Sequence, residues 1–131
     1  MICPCSKFIR RARNSSGSVA VEFALLLPVY IAFISGIIEF GRFIWIRNTM
    51  EFAAEQAARY GAITSGATAA SIEAQAPTYL IGVDPATVSF SANFPTGTTV
   101  TVTGTHDFAT LISAYVPIPP TTLTVTATFA R

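Results

Sequence analysis

The sequence predicts an α+β protein in which one long N-terminal helix covers a small antiparallel sheet of three or four strands. An uncharged apolar run from Phe23 to Ile38 comes first, and charged residues at four-residue intervals follow it. In the C-terminal part, apolar residues alternate with threonine and serine, which is typical of half-buried strands. Only 11% of the 131 residues are charged and 51% are apolar, so a disordered chain is excluded and one modest domain is expected.

A basic leader precedes the apolar run. Residues 1–17 contain four basic residues and no acidic one, whereas residues 18–131 contain four basic and seven acidic residues. By the positive-inside tendency, the leader is predicted to lie in the cytoplasm. Because no basic cluster follows it, we expect no nucleic-acid partner. Cys3 and Cys5 are interpreted as reduced cytosolic thiols, since two ligands are too few for a structural zinc site.

The long helix is predicted over 18–62, with a membrane span at about 22–46. About 20 apolar residues are needed to cross a hydrocarbon core roughly 30 Å thick, and this stretch is long enough. After the span, charged residues recur every four positions and predict one solvent-exposed stripe. The members of this stripe are Arg47, Glu51, Glu55 and Arg59. Apolar and small residues are predicted mainly on the other side, namely Trp45, Phe52, Ala53, Ala57 and Tyr60.

Three features inside the helix are candidate functional positions. Glu22 lies at the start of the predicted membrane span, where burying a carboxylate costs free energy, so it is a functional candidate. The alternative is that Glu22 lies among the lipid headgroups. Pro28 has no N–H group, so the helix is predicted to bend or loosen there, with or without a neighbouring subunit to satisfy the freed carbonyl. Glu39 and Arg42 are three residues apart and are predicted to neutralise each other near the outer interface rather than to relay protons.

A cleaved secretory signal is an alternative interpretation of the basic region and apolar run. Its usual small-x-small exit site is missing, because Glu39, Phe40, Gly41 and Arg42 follow the apolar core. A different processing signal precedes the run, where Gly17 closes the leader and Glu22 follows five residues later. A cut between Gly17 and Ser18 would create an α-amino group within about a turn and a half of Glu22, as a cationic partner for that acid.

The remainder is predicted to be a linker over 63–77 and a small extracytoplasmic β-rich domain over 78–131. A weak helix is expected at about 68–76 within the linker. Alternating residues from Val88 to Phe94, a Pro-Thr-Gly turn and a second alternating run predict a hairpin. A third strand is predicted over 121–129. Residues 107–116 have helical spacing and are predicted to help the long helix cover the apolar face of the sheet.

No catalytic constellation emerges from this outer domain. His106 is the sole imidazole, and with Asp107 it is interpreted as a strand end and a helix cap. The sequence contains no glycine-rich phosphate loop and no cluster of metal ligands. We therefore expect no enzymatic activity, no metal, no cofactor and no small-molecule substrate.

Several short motifs together resemble a known family. The basic leader, Gly17, Glu22 and the adjoining apolar helix resemble the prepilin signal of type IV pilin-like proteins. The wider stretch over 17–62 resembles the TadE-like family of pseudopilins that accompany Flp (tight-adherence) pili. Its matching features are the A-V-E-F threshold, the Leu-Pro pair, the E-x-G-R end and the A-A-R-x-G-A exit. Here they are Ala20–Phe23, Leu27–Pro28, Glu39–Arg42 and Ala57–Ala62.

The resemblance implies a pilin-like fold and a role in pilus assembly. It implies that a prepilin peptidase cuts between Gly17 and Ser18 and that Glu22 pairs with a mature N-terminus. The implied partners are that peptidase, other pilins or pseudopilins, the assembly platform in the bacterial inner membrane, and the lipid bilayer. The implied protein is a single-pass minor pseudopilin that acts through helix–helix association. The alternative is an uncleaved, membrane-anchored module whose β-domain binds an envelope component.

Overall fold

The computed structural model describes residues 16–114 and 117–131, and it confirms the α+β class. A long helix is packed on a small three-stranded antiparallel sheet. The helices are α1 (Ser16–Ile63) and α2 (Ala69–Gln75), and the strands are β1 (Val88–Asn93), β2 (Thr99–Phe108) and β3 (Thr121–Ala130). Short 3-10 turns cover Ala76–Tyr79, Pro85–Thr87 and Leu111–Ala114. The predicted leader, with Cys3 and Cys5, lies outside the described residues up to residue 15.

The chain divides into two compact units, Met1–Gly36 and Ile37–Arg131. The described part of the first unit is the N-terminal portion of α1, which stays helical through Pro28. Its large apolar side chains are 42–72% exposed. This part of the helix therefore has no apolar core of its own among the described residues.

The second unit contains the sheet, whose strands lie in the order β1-β2-β3. β1 and β2 form the predicted hairpin, with Val88 opposite His106 and Asn93 opposite Thr101. β2 and β3 pair along their full length, from Thr99 opposite Ala130 to Phe108 opposite Thr121. Alternate residues enter the core because successive side chains of a strand point to opposite faces. The buried side chains of β2 and β3 are those of Val100, Val102, Phe108, Leu123, Val125 and Ala127, and Gly104 is also buried.

The α1 residues of this unit supply the other side of the core. The side chains that α1 contributes are mostly small, which lets the helix lie close to the sheet. The fully buried ones are Met50, Ala53, Ala54, Ala57 and Ala58. Ile72 of α2 is also fully buried and closes one side of the core.

Two contacts show that β2 runs antiparallel to the neighbouring part of α1. The Phe43 and Phe108 rings pack edge to face with centroids 5.6 Å apart, at one end of the strand. At the other end, a Cβ placed on Gly61 would lie 3.0 Å from Val100 Cγ1. The β2–β3 connection therefore lies beside the start of this unit, and the β1–β2 turn lies at its far end.

The packing agrees with some sequence predictions and corrects others. All four residues of the charged stripe are exposed, and α2 lies within the predicted weak helix. Trp45 and Phe52, which the sequence places mainly on the side of α1 opposite the charged stripe, are 56% and 43% exposed, whereas Ala53 and Ala57 on that side are fully buried. The predicted helix over 107–116 is wrong. β2 continues to Phe108 because it pairs with β3, and only Leu111–Ala114 forms a 3-10 turn, while residues 115 and 116 lie outside the described residues.

Candidate functional site

The predicted processing residues lie in the first turns of α1. Gly17, Ser18 and Glu22 are all exposed, and no atom lies within 4 Å of a Cβ built on Gly17. Ser18 and Glu22 are one helical turn apart, at a rise of about 6 Å. All three residues are therefore accessible to another protein, and nothing in the described chain packs against the Gly17 position.

An exposed apolar surface follows directly and continues to Ile38. Among the described residues, one helix is long and apolar enough to cross a membrane, and none of its most apolar window is buried. Leaving a large apolar side chain in water costs about 1.5–3 kcal/mol relative to burying it. The surface consists of Val19, Val21, Phe23, Leu25, Leu26, Leu27, Val29, Tyr30, Ile31, Phe33, Ile34, Ile37 and Ile38. So large an exposed apolar surface is typical of a site that contacts a membrane or another protein.

Glu39 is the first charged residue after this surface, and both of its carboxylate oxygens accept hydrogen bonds. Oε2 accepts from Arg42 Nη1 at 3.0 Å, and Oε1 accepts from the backbone N–H of Leu111. The Glu39 side chain is only 12% exposed, and that of Arg42 is 38% exposed. The carboxylate therefore joins helix α1 to the loop between β2 and β3.

Arg42 is held by a second contact besides its ion pair. Its guanidinium carbon lies 5.3 Å from the centroid of the Phe108 ring, a distance suited to a cation–π interaction. Phe108 packs in turn against Phe43. The charge of Arg42 is thus compensated by a carboxylate and an aromatic face, so this pair can lie near an apolar environment at reduced cost.

An open cleft of about 500 Å³ lies beside Arg42. It is lined by Gly41, Arg42, Trp45, Ile46, Gly82, Val83, Asp84, Thr87 and His106. The side chains of Asp84 and His106 have hydrogen-bond partners within the chain. His106 Nδ1 lies 2.8 Å from the Thr87 carbonyl oxygen, and the Asp84 carboxylate accepts from the Ala86 N–H at 2.9 Å. The His106 contact joins the end of the 82–87 segment to β2, and the Asp84 bond lies within the segment.

His106 does lie near the end of a strand, whereas the interpretation of Asp107 as a helix cap is wrong. Both residues are inside β2, because the β2–β3 ladder extends to Phe108. The Asp107 carboxylate accepts a hydrogen bond from the Thr122 hydroxyl at 2.8 Å on the adjacent strand. Within 16–114 and 117–131, no three His, Cys, Asp or Glu side chains come together as a metal site.

Sequence reasoning missed two connections made by carboxylates. The Glu39–Leu111 bond joins residues 72 positions apart, and Glu73 Oε1 accepts from the Ala92 N–H of β1 at 2.9 Å. Glu73 is the single charged residue between Arg59 and Asp84, and this isolated position in the sequence was the one indication that its carboxylate has a specific partner. Its partner was not predictable, because the contact depends on how α2 packs against β1.

The comparison with family models gave one finding. The family described as TadE-like protein matches residues 17–59 of the 131. The match confirms the resemblance over this segment, which contains the exposed apolar surface and most of the α1 residues that pack on the sheet. No curated protein and no solved structure matches the chain.

Proposed function

From the TadE-like match over 17–59, we propose that the protein is a minor pseudopilin that helps to assemble a Tad (Flp-type) pilus. A TadE-like segment that contains an apolar N-terminal helix fits a Tad pilus-associated membrane protein, and the TadE-like family is a pilus component. The observation that carries the proposal is the exposed apolar surface that lies inside this segment. In this role, the helix acts by associating with lipid and with the helices of other subunits.

The membrane-crossing part of α1 is proposed to be 18–38. The sequence placed the span at about 22–46, but Arg42, Phe43 and Ile46 belong to the second unit and make side-chain contacts within it. At about 1.5 Å per residue, a helix over 18–38 is about 31 Å long, close to the thickness of a hydrocarbon core. The Glu39–Arg42 pair then lies at the outer interface.

The proposed topology follows from charge. The basic leader stays on the cytoplasmic side, and residues from Glu39 onward lie outside the cytoplasmic membrane of a bacterium. The proposed partners are a prepilin peptidase, other pilins or pseudopilins, the assembly platform in the inner membrane, and the bilayer itself. Helix–helix association needs none of the groups in the cleft beside Arg42.

Processing is proposed to occur between Gly17 and Ser18. The exposure of both residues supports access by a peptidase. The new α-amino group would lie about one helical turn from Glu22, and a carboxylate and an ammonium group compensate each other's charge at low dielectric. The partner amine belongs either to the same chain or to a neighbouring subunit.

The first experiment is the intact mass and N-terminal sequence of membrane-extracted protein, from cells with and without the prepilin peptidase. We expect Ser18 as the first residue when the peptidase is present and a retained leader when it is absent. A leader retained in both strains would contradict processing. A chain that begins beyond Ile38 would instead indicate a secreted domain.

Substitution of Glu22 distinguishes a role in pilus assembly from a role as a membrane tether. A membrane tether for an envelope-binding module does not need this carboxylate, whereas pairing with a mature N-terminus does. We therefore expect Glu22→Gln to reduce pilus number on cells while leaving the amount of protein in the membrane unchanged. Glu55→Gln, at an exposed position on the same helix, is the matched control and should leave pilus number unchanged.

A further inference from the structure

The two edge strands of the sheet, β1 and β3, differ in what lies beside them. β1 has six residues, and α2 packs against it, with the Glu73 carboxylate accepting a hydrogen bond from the Ala92 N–H at 2.9 Å. β3 has ten residues and contains neither a charged residue nor a proline. Proteins commonly protect an edge strand by short length, by charges or prolines, or by a covering segment. By these criteria the β1 edge is protected and the β3 edge is open.

The hydrogen bonds of β3 show which of its backbone groups point away from β2. The Arg131 N–H, directly after the strand, donates to the Thr98 carbonyl oxygen at 2.7 Å. In an antiparallel ladder every second residue bonds to the partner strand, so the odd-numbered residues of β3 bond to β2. The residues whose N–H and C=O groups point to the free edge are therefore Thr122, Thr124, Thr126, Thr128 and Ala130. In the described part of the chain, no backbone hydrogen bond from another segment reaches these groups.

The side chains of β3 form two rows, one on each face of the sheet. Leu123, Val125 and Ala127 are buried in the core that α1 shares with the sheet. The threonines at the even-numbered positions are exposed on the opposite face. A strand added at the free edge therefore meets an apolar row on one face and a row of hydroxyl groups on the other.

We propose that the free edge of β3 pairs with β3 of a second copy of this chain, antiparallel and about a two-fold axis at Val125. In this register, Thr124 lies opposite Thr126 of the partner subunit, and Thr122 lies opposite Thr128 of the partner subunit. The two sheets then form one continuous sheet. The pairing concerns only the second unit, so it goes beyond the proposed pilus role and does not depend on processing at Gly17.

A second copy is the favoured occupant because β3 is complementary to itself in this register. Even-numbered residues lie opposite even-numbered residues, so the free N–H and C=O groups of the two strands meet. Threonine lies opposite threonine, which is a favourable cross-strand pair, and the apolar row continues with Leu123 opposite Ala127 and Val125 opposite Val125. Since β3 carries no charge, no like charges are brought together.

The protected β1 edge limits the assembly to two copies. Each copy offers one open edge, because α2 and the Glu73 carboxylate cover the other. The same surface is then used by both subunits, as in an isologous two-fold interface, which closes on itself. Pairing from β3 of one copy to β1 of the next would instead give an open fibre.

Disulfide formation between two single-cysteine versions of the full-length chain tests the pairing. Cys3 and Cys5 are replaced by serine in both, and two differently tagged copies carry Thr124→Cys and Thr126→Cys. Opposite residues of an antiparallel pair have Cα atoms about 4.5–5.5 Å apart, within the range of about 4.4–6.8 Å that a disulfide spans. The matched control pair is Ser89→Cys with Ser91→Cys, at exposed positions on β1.

Mild oxidation of membranes that contain both copies should link the 124 and 126 cysteines. We expect about tenfold more linked dimer from this pair than from either variant alone, because like residues are diagonal neighbours about 7–8 Å apart. The control pair on β1 should remain unlinked. Linkage of the β1 pair to the same extent would show random collision and overturn the proposal, as would no linkage at 124 and 126.

Amide hydrogen exchange, measured by NMR on the purified full-length protein in micelles, tests whether the backbone edge makes the contact. The N–H groups of Thr122, Thr124 and Thr128 should exchange about tenfold more slowly than in Thr126→Lys, which places a charge on the edge. Ser91→Lys, at an exposed position of β1, is the matched control and should leave these amides protected. The Val125 amide, which bonds to β2, should stay protected in every variant and report that the sheet is intact.

The two measurements together separate the proposed dimer from other contacts. Fast exchange of the even-numbered amides in the unsubstituted protein would overturn the pairing. Disulfide linkage without protection of these amides would show a contact through the threonine face and would also overturn it. Protection that persists in Thr126→Lys, without linkage of the 124 and 126 cysteines, would indicate a different strand on this edge and overturn the second copy as its occupant.

Discussion

At the scale of single residues, Glu39 connects parts of the chain that are distant in sequence. One carboxylate oxygen accepts from Arg42 on the same helix, and the other accepts from the Leu111 N–H. Hydrogen bonds to ionised acceptors are stronger than those between neutral groups, and removing one partner leaves the other unsatisfied. Glu39 is therefore both a charge partner and the anchor of the β2–β3 loop.

Replacing Glu39 by alanine should loosen this loop. The Leu111 amide would lose its acceptor, and a hydrogen bond to a charged group contributes about 1.5–3 kcal/mol, so we expect its hydrogen exchange to accelerate about tenfold or more. Amide exchange followed by mass spectrometry in detergent micelles measures this. Glu51→Ala removes an exposed carboxylate from the same helix and serves as the control. Unchanged exchange at Leu111 would show that the bond contributes little.

A substitution of Gly17 tests whether this glycine is needed for processing. A valine there should block cleavage by a peptidase that reads glycine before the cut, without disturbing the fold, because a Cβ at Gly17 meets no atom within 4 Å. Gly36→Val is the matched control, since a Cβ there also meets no atom within 4 Å. Intact mass should show a retained leader in Gly17→Val alone. Normal processing of Gly17→Val would exclude this glycine as a determinant of cleavage.

At the scale of elements, the contact between α1 and the sheet depends on small residues. A Cβ on Gly61 would clash with Ile72 Cδ1 and lie 3.0 Å from Val100 Cγ1. Gly61 thus lets α1, α2 and β2 meet at one point. The same principle operates in the sheet, where a Cβ on Gly104 would lie 2.9 Å from Phe90 Cε1. Both positions require glycine because a side chain would not fit and not because of the backbone conformation, since neither glycine has a positive φ.

Gly61→Val should destabilise the second unit. Overpacking a core costs about 1–3 kcal/mol, more than the helix propensity gained by replacing glycine. Gly41→Val, at a position of the same helix with open space, should be neutral or slightly stabilising. Thermal unfolding of both variants in detergent micelles, followed by circular dichroism, measures the difference. Equal midpoints for the two variants would contradict the close packing at Gly61.

At the scale of the whole molecule, charge and hydropathy divide the chain into three parts. A basic leader comes first, an exposed apolar helix follows, and a weakly acidic unit completes the chain. Both cysteines lie in the leader. A protein cut after Gly17 would therefore have no cysteine, which provides a simple test of both topology and processing.

An impermeant maleimide should label the Thr96→Cys variant in intact spheroplasts, because residue 96 is proposed to lie outside the cytoplasm. The native cysteines of unprocessed protein should react only after lysis, and processed protein without an added cysteine should not react. Gel analysis of maleimide labelling, in cells with and without the peptidase, measures the reaction of the Thr96→Cys variant, the unprocessed protein and the processed protein. A Thr96→Cys variant that reacts only after lysis would contradict the proposed orientation.

Much of the fold was predictable from local sequence. The period of the charged stripe predicted the exposed side of α1, and the alternation from Val88 onward predicted the β1–β2 hairpin. These predictions succeeded because both periods are set by backbone geometry within a few residues. The same argument gave a wrong prediction over 107–116. The apolar residues there have helical spacing, but the first of them belong to β2, which pairs with β3. Phe108 pairs with Thr121, and that partner is not visible from local spacing.

The N-terminal part of the candidate site stays a prediction from the sequence, and the outer part is visible only in the tertiary structure. The N-terminal part can be recognised from the sequence alone, because Gly17 and Glu22 stand at a fixed spacing before the apolar run. A segment that crosses a bilayer needs only sufficient length and an apolar composition. The second partner of Glu39 and the exposure of Leu111 depend on packing between distant segments.

The sequence by itself determined the TadE-like segment, the long apolar helix and the strand-forming character of the C-terminal part. These properties follow from composition and from periods of two and 3.6 residues. Only the tertiary structure decided which α1 residues the sheet covers, that β2 extends to Phe108, and that Glu39 meets the β2–β3 loop. The reason is that such contacts join residues far apart in the chain, and their free energy depends on how all the elements pack together.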